Sequence, residues 1–281
     1  MTTVHVLIPT YGAAPYLEEA LRSVVAARRE GVEVTVVDDG SPVPVAEAVV
    51  GRLRAEGHDI ELVRLPVNLG VAGAFTRCAE LSRGERTVIL GDDDLLEPWY
   101  VDEVRDLVER LGDVAMVMPG VTVIDADGGE HFPLADRVKA VLAARRHLPA
   151  VLGGQSLVAS LLTGNWLYFP AIAWRTEDLR SRPFRTDMGT AMDLELELAL
   201  LLDGAQLAVS RRPSFRYRRH AASVSSRTAS SGERFAEQDR LFAWAVERCE
   251  EKGWRWAALA GRLHATSRAH DVLERLGGSR G

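Results

Sequence analysis

The sequence has 281 residues, 47% hydrophobic and 26% charged, with a formal net charge of −6. That is an ordinary globular composition with enough apolar residues for a real core. The acidic balance disfavours wrapping a polyanion such as DNA. Two cysteines, Cys78 and Cys249, fit neither a disulfide framework nor a metal cluster, and their usage suits a reducing cytoplasm. The first residues lack the basic region of a signal peptide. No apolar run is long enough to span a bilayer, since Val114 to Ile124 holds Pro119 and Gly120. Contact with a membrane surface stays open.

In chain order, Val4 to Ile8 reads as a buried strand ended by Pro9-Thr10-Tyr11-Gly12. Leu17, Ala20, Leu21, Val24 and Val25 then share one helical face. Val32 to Val37 is a second strand, closed by Asp38-Asp39-Gly40-Ser41-Pro42. A helix over Val45 to Leu53 and a strand over Ile60 to Leu65 follow. Asn68-Leu69-Gly70 opens a third helix, and Thr87 to Leu90 is a strand ending in Asp92-Asp93-Asp94. A helix from Trp99 to Leu111 and a strand from Val114 to Met118 complete the regular part. Strands alternating with helices at short loops predict βαβ units and a mostly parallel sheet.

Beyond Val121 the alternation breaks. Asp125 to Gly129 signals a hairpin, 131–154 is irregular, and within it His131 to Pro149 is either a lid or a variable insertion. Ala171 to Trp174 reads as a strand and Ala191 to Leu202 as a helix. Ser223 to Ser231 is Ser-rich. Two helices are predicted over Gly232 to Lys252 and Trp254 to Leu276.

Ligands of open α/β sheets bind outside the carboxyl ends of the strands. Pro9-Thr10-Tyr11, Asp38 to Ser41 and Asp92 to Asp94 all fall on that edge. Adjacent carboxylates oppose one another's ionisation, so three in a row suggest a divalent cation, Mg²⁺ or Mn²⁺, completed by water and substrate phosphates. The alternative is a solvated loop with a helix cap. Asp38-Asp39-Gly40-Ser41 is either a plain turn or a carboxylate site for a base or ribose. Asp193 is either first-turn helix charge or a general base. Arg216 to His220, with Ser223 and Ser225, is either surface charge or a set of cations near a diphosphate. Asn165, Trp166, Tyr168 and Trp174 are either acceptor-wall residues or core.

The ordered set Ile8-Pro9-Thr10-Tyr11, Val36 to Ser41, Asn68-Leu69-Gly70, the DxD-type Asp92-Asp93-Asp94, Asp193, and Tyr217 to His220 resembles a family 2 glycosyltransferase of the GT-A fold. The resemblance runs from Val4 to about Ser225. It implies a Rossmann-like α/β nucleotide-binding fold with a mostly parallel central sheet and C-terminal helices. The implied halves are nucleotide-sugar-binding over 1–120 and acceptor-binding over 121–230, with a helical extension over 231–281. It implies inverting transfer of a sugar from a nucleoside-diphosphate donor to a hydroxyl on a polysaccharide, lipid-linked or natural-product acceptor. Pro9, Thr10, Tyr11, Asp38, Asp39, Asn68 and Gly70 would surround the nucleoside, with Asp92 at the ribose. Asp93, Asp94 and His220 would hold Mn²⁺ or Mg²⁺, with Arg218 at the diphosphate. Asp193 would be the base, and Asn165 and Trp166 would line the acceptor. The rival readings are a nucleotidyltransferase-like enzyme, whose Gly-rich phosphate loop is missing here, and a GT-A domain without catalysis. No G-x-G-x-x-G follows the first strand, which disfavours a dinucleotide oxidoreductase.

Overall fold

The computed structural model describes residues 1–131, 148–220 and 232–263. Ser223, Ser225, most of the irregular stretch after His131, and the last predicted turns of the second terminal helix lie outside them. Four strands, β1 (Val4–Thr10), β2 (Val32–Asp38), β3 (Glu61–Arg64) and β4 (Arg86–Ile89), form a parallel block in the order β3-β2-β1-β4. Their crossovers are α1 (Leu17–Ala27), α2 (Val45–Ala55) and α3 (Gly70–Leu81). β1 and β2 are buried on both faces, which is why they read as continuous Val/Leu/Ile runs.

The sheet continues as β8 (Ala173–Arg175), β6 (Met116–Ile124), β9 (Gln206–Arg218) and β5 (Leu95–Leu96), while β7 (Ala150–Gly153) pairs with β9. β6 and β9 are parallel, and β8, β5 and β7 join antiparallel. The fold is therefore α/β with a mixed sheet whose N-terminal block is wholly parallel. The 120/121 boundary expected between the halves falls inside β6, and one sheet crosses it. β6 tolerates Pro119-Gly120 through a register shift, where a Cβ on Gly120 would lie 2.6 Å from the Arg211 carbonyl oxygen.

The remaining α-helices among the described residues are α4 (Tyr100–Leu111), α5 (Gly154–Thr163), α6 (Thr176–Arg180), α7 (Met192–Leu202), α8 (Gly232–Glu251) and α9 (Arg255–Leu263). α7 is buried on most of its surface, not on one face only. α9 packs against α5 and α8. Among the described residues no helix is long and apolar enough to cross a membrane.

One polar chain inside the parallel block sets a pH dependence. The Arg83 backbone N–H donates to His5 Nδ1 at 3.0 Å, so that nitrogen is unprotonated and Nε2–H faces Thr35 Oγ1 at 2.8 Å. The Thr35 hydroxyl donates to Glu61 at 3.0 Å. Burial, then the nearby Arg83 cation, lowers the His5 pKa from 6.5 to about 4. The unfolded chain therefore binds a proton that the folded one refuses. Stability conferred by neutral His5 is full above about pH 6.5 and is lost as pH falls toward 4. Between those values wild type is expected to lose a few kcal/mol more than His5→Gln does, roughly 1.4 per pH unit; denaturant titrations at each pH measure it.

Candidate active site

The carboxyl ends of β1, β2 and β4 meet at one edge and are cross-linked there. Thr10 Oγ1 donates to Asp92 Oδ2 at 2.6 Å, and the Thr10 carbonyl accepts from the Asp39 N–H at 2.9 Å. Asp38 is buried; its Oδ1 accepts from the Ser41 N–H at 2.9 Å, and Arg64 Nε lies 3.7 Å from Oδ2. Ser41 Oγ in turn accepts from the Gly12 N–H at 2.9 Å. Asp39, also buried, accepts from the Leu69 N–H at 2.8 Å, and so pins the β3–α3 loop to the end of β2. Asn68 Oδ1 accepts from the Gly70 N–H at 2.7 Å where α3 begins. Pro9 is half-buried and Tyr11 is 53% exposed, its ring standing at the rim. Tyr11 and Asn68 thus face solvent beside Asp38 and Asp39.

Gly40 holds this corner together. Its φ is +68°, and a Cβ there would lie 2.7 Å from the Val67 carbonyl carbon. Gly40→Ala is expected to cost about 2 kcal/mol from the left-handed backbone alone. It should also displace Val67-Asn68 from the end of β2. Chemical denaturation measures the cost, and proteolytic susceptibility of the β3–α3 loop the displacement.

The aspartate triplet divides by environment. Asp92 and Asp93 are partly exposed, whereas Asp94 is only 1% exposed. Burial pushes the Asp92 carboxyl up to about 6, opposed by its Thr10 hydrogen bond. Burial and then the Asp93 charge hold Asp94 well above the usual carboxylate range. Asp94 Oδ1 accepts the Arg218 backbone N–H at 2.8 Å. Through Oδ1 it braces the end of β9 against the aspartate loop. Asp93 Oδ2 sits 2.9 Å from His220 Nε2, both side chains partly open to solvent. The His220 ring lies 5.0 Å from the Tyr16 ring.

Arg218 departs from expectation. It is 2% exposed and points inward. Its Nε donates to the Asp93 carbonyl at 2.8 Å, Nη1 to Ala126 and Asp125 carbonyls at 2.9 and 3.3 Å, and Nη2 to Glu19 at 2.7 Å. Tyr16 covers it at 4.5 Å from the ring centroid. All three guanidinium nitrogens are engaged, so the side chain ties the aspartate loop to α1 and the Asp125 turn and does not reach outward to a diphosphate. Sequence reasoning missed Glu19 and Tyr16. The only signal for them was their position after the β1 loop.

Asp193 stands in the first turn of α7, partly exposed, with Oδ1 accepting the Leu194 N–H at 2.7 Å. Asn165 donates to Glu197 of the same helix at 3.4 Å, and its Oδ1 accepts from the Leu167 N–H at 3.0 Å. Trp166 is 2% exposed and its Nε1 donates to Ser160 Oγ at 3.1 Å. It is core, as is Trp174. Tyr168 and Tyr217 are the partly open rings here, 5.1 Å apart, with the Arg219 guanidinium 5.6 Å from the Tyr217 ring.

Among the described residues, no three His, Cys, Asp or Glu side chains close round one point as a ready-made metal cage. Mg²⁺ and Mn²⁺ sites on nucleotide enzymes need no such cage, since one or two protein ligands plus phosphate and water suffice. The Asp93–His220 pair fits that smaller requirement.

A parallel α/β block with polar residues of three strand ends locked at its carboxyl edge is the arrangement of the GT-A fold. The chain belongs to glycosyl transferase family 2: the Glycosyl transferase family 2 model matches residues 5–156, more than half of its length. It is 40% identical over 175 residues to the succinoglycan biosynthesis protein ExoW of Rhizobium meliloti, covering 60% of this chain and 53% of that one. The chain thus spans about half of that relative's length. Two solved structures share the fold. The S. aureus TarS fragment 1–349 in complex with UDP-GlcNAc superposes with a TM-score of 0.67 at 16% identity, covering 87% of this chain and 66% of that one. The mannosyltransferase PcManGT of Pyrobaculum calidifontis, in complex with GDP-Man and Mn²⁺, gives 0.59 at 20% identity over 99% of this chain and 80% of that one.

Proposed function

We propose that the chain transfers a sugar, with inversion, from a nucleoside-diphosphate sugar to an acceptor hydroxyl with the help of Mn²⁺ or Mg²⁺. The observation that carries this is the convergence of Thr10, Asp38-Asp39 and Asp92-Asp93 on one strand edge, with His220 brought to Asp93 from β9. The donors bound by TarS and PcManGT, and the Mn²⁺ of PcManGT, support it.

In this reading the nucleoside lies against Pro9 and Tyr11, and the buried carboxylates Asp38 and Asp39 fix the loops around it. Asp92, oriented by Thr10, receives the ribose hydroxyls. Asp93 and His220 would hold the cation, which offsets the negative charge gathering on the departing diphosphate. Asp193 aligns the acceptor hydroxyl and takes its proton from the face opposite the leaving group. Tyr168 and Tyr217 offer aromatic faces for a sugar ring, and Asn165 positions their segment through Glu197. ExoW's role in succinoglycan biosynthesis supports a growing glycan as acceptor. Cys78 and Cys249 are free and buried, which supports a cytoplasmic setting.

The test is Asp193→Asn. Without a base, transfer is expected to fall by roughly 10²–10⁴-fold while donor affinity stays within about twofold. Wild-type turnover in this variant would reject the mechanism. Loss of donor binding would instead move Asp193 into the donor site.

A further inference from the structure

Helix α9 is amphipathic the wrong way round for a helix that only caps a domain. It packs on α5 and α8 through its smallest residues: Ala257, Ala258 and Gly261 are buried. The approach is close, since a Cβ on Gly261 would lie 2.7 Å from a Val246 methyl and 3.4 Å from one of Leu162. The largest apolar side chains point outward. Trp256 is 71% exposed, Leu259 43% and Leu263 55%. Spacings of three and four residues put these three on one stripe. Single exposed apolar residues are common, but a contiguous stripe of a Trp and two Leu marks a contact surface.

The charged residues on α9 itself, and Lys252 just before it, are all basic. Arg255 and Arg262 are exposed on the same helix, and Lys252 sits just before it with Nζ 5.6 Å from the Trp254 ring. Glu250 of α8 pairs with Arg262, while Arg255 has no side-chain partner among the described residues. Residues 252–281 carry six Lys/Arg against two Asp/Glu, in a chain whose net charge is −6. Among the described residues, Lys252 and Arg255 thus flank the exposed apolar stripe of a chain that is acidic as a whole.

We propose that α9 is a docking face for an anionic phospholipid surface, with Trp256, Leu259 and Leu263 entering the headgroup–acyl boundary and Arg255 and Lys252 among the phosphates. Apolar insertion and attraction to anionic lipid act together in such interfacial helices, and either alone is weak. A second copy of the chain would have to bring two cationic faces together, which the charge disfavours. The inference does not depend on the transfer reaction, so Asp93→Ala protein should bind vesicles as wild type does.

Co-sedimentation of the full chain with phosphatidylcholine vesicles, with and without about one third phosphatidylglycerol, tests it. Wild type is expected to partition onto the anionic vesicles, with a blue shift in tryptophan fluorescence, and to be released as salt is raised. Trp256→Ala/Leu259→Ala, which alters only exposed side chains, should bind about tenfold more weakly or less, with an unchanged melting temperature. Arg255→Glu should weaken binding to anionic vesicles alone. Three results would overturn the proposal: no vesicle binding by wild type, equal binding by the double variant, or a lipid-free state in which Trp256 is already shielded from quencher. If that shielding follows protein concentration, the occupant is a second copy; if it does not, the occupant is the chain's own residues 264–281.

Discussion

Replacing Asp93 with alanine is expected to lower kcat/KM by about three orders of magnitude or more, since in the proposed function Asp93 would hold the cation that offsets charge at the leaving diphosphate. The fold should survive. Asp93 is partly exposed, and its side chain bonds His220, not the strand framework. The framework contacts of the same loop, Thr10 to Asp92 and the Arg218 N–H to Asp94, use other residues. Steady-state kinetics with saturating Mn²⁺, beside a melting curve, separates the two effects. An Asp93→Ala enzyme keeping a tenth of wild-type turnover would remove Asp93 from the cation site. His220→Ala should follow the same direction with a smaller loss, because an imidazole contributes one ligand and no formal charge to the site when neutral.

Arg218→Ala carries the largest expected cost in stability. The guanidinium serves the carbonyls of Asp93, Asp125 and Ala126 and the Glu19 carboxylate from a position closed to water. Alanine takes that donor from the Asp93 and Ala126 carbonyls, while Asp125 keeps the Gly128 N–H, and opens a void beneath Tyr16, at about 1–3 kcal/mol for each unsatisfied buried group. A total loss of about 3 kcal/mol or more is expected in a denaturant titration. Arg218→Lys should recover only part of it, because an ammonium cannot span the forked set of acceptors. Activity should fall with stability through the loosened Asp93 loop, as a lower kcat for residual folded enzyme. Full stability in Arg218→Ala would mean that the loop is held by the Asp94 brace alone.

The parallel half was legible because its physics is local. Val4 to Ile8 and Val32 to Val37 announce buried strands by run length and β-branching, and polar residues after each strand mark the ligand edge. The second half hides its strands. β9 spans Gln206–Arg218 but contains Pro213 and four arginines, so it reads as a charged loop. In the fold it gains β6, β7 and β5 as partners. Arg218 could not be oriented from sequence, because its partner Glu19 is 199 residues away and its other acceptors are backbone carbonyls that no residue type announces. Trp166 illustrates the same limit: an aromatic after Gly-Asn suits a sugar face or a core equally, and its burial decides for the core. Asp92, Asp93 and Asp94 look equivalent in sequence, yet environment gives them three tasks, since one faces Thr10, one His220 and one the buried Arg218 N–H.

The most direct test of the donor site is a thermal-shift panel of UDP, GDP, dTDP and ADP, each with Mn²⁺, Mg²⁺ or EDTA, on wild type and Asp93→Ala. A ligand that binds only the folded state raises its stability by mass action, about 2.7 kcal/mol at a hundredfold excess over Kd. The account predicts a shift for one diphosphate that EDTA removes and Asp93→Ala lacks. A shift of equal size in EDTA, or in Asp93→Ala with metal present, would contradict it.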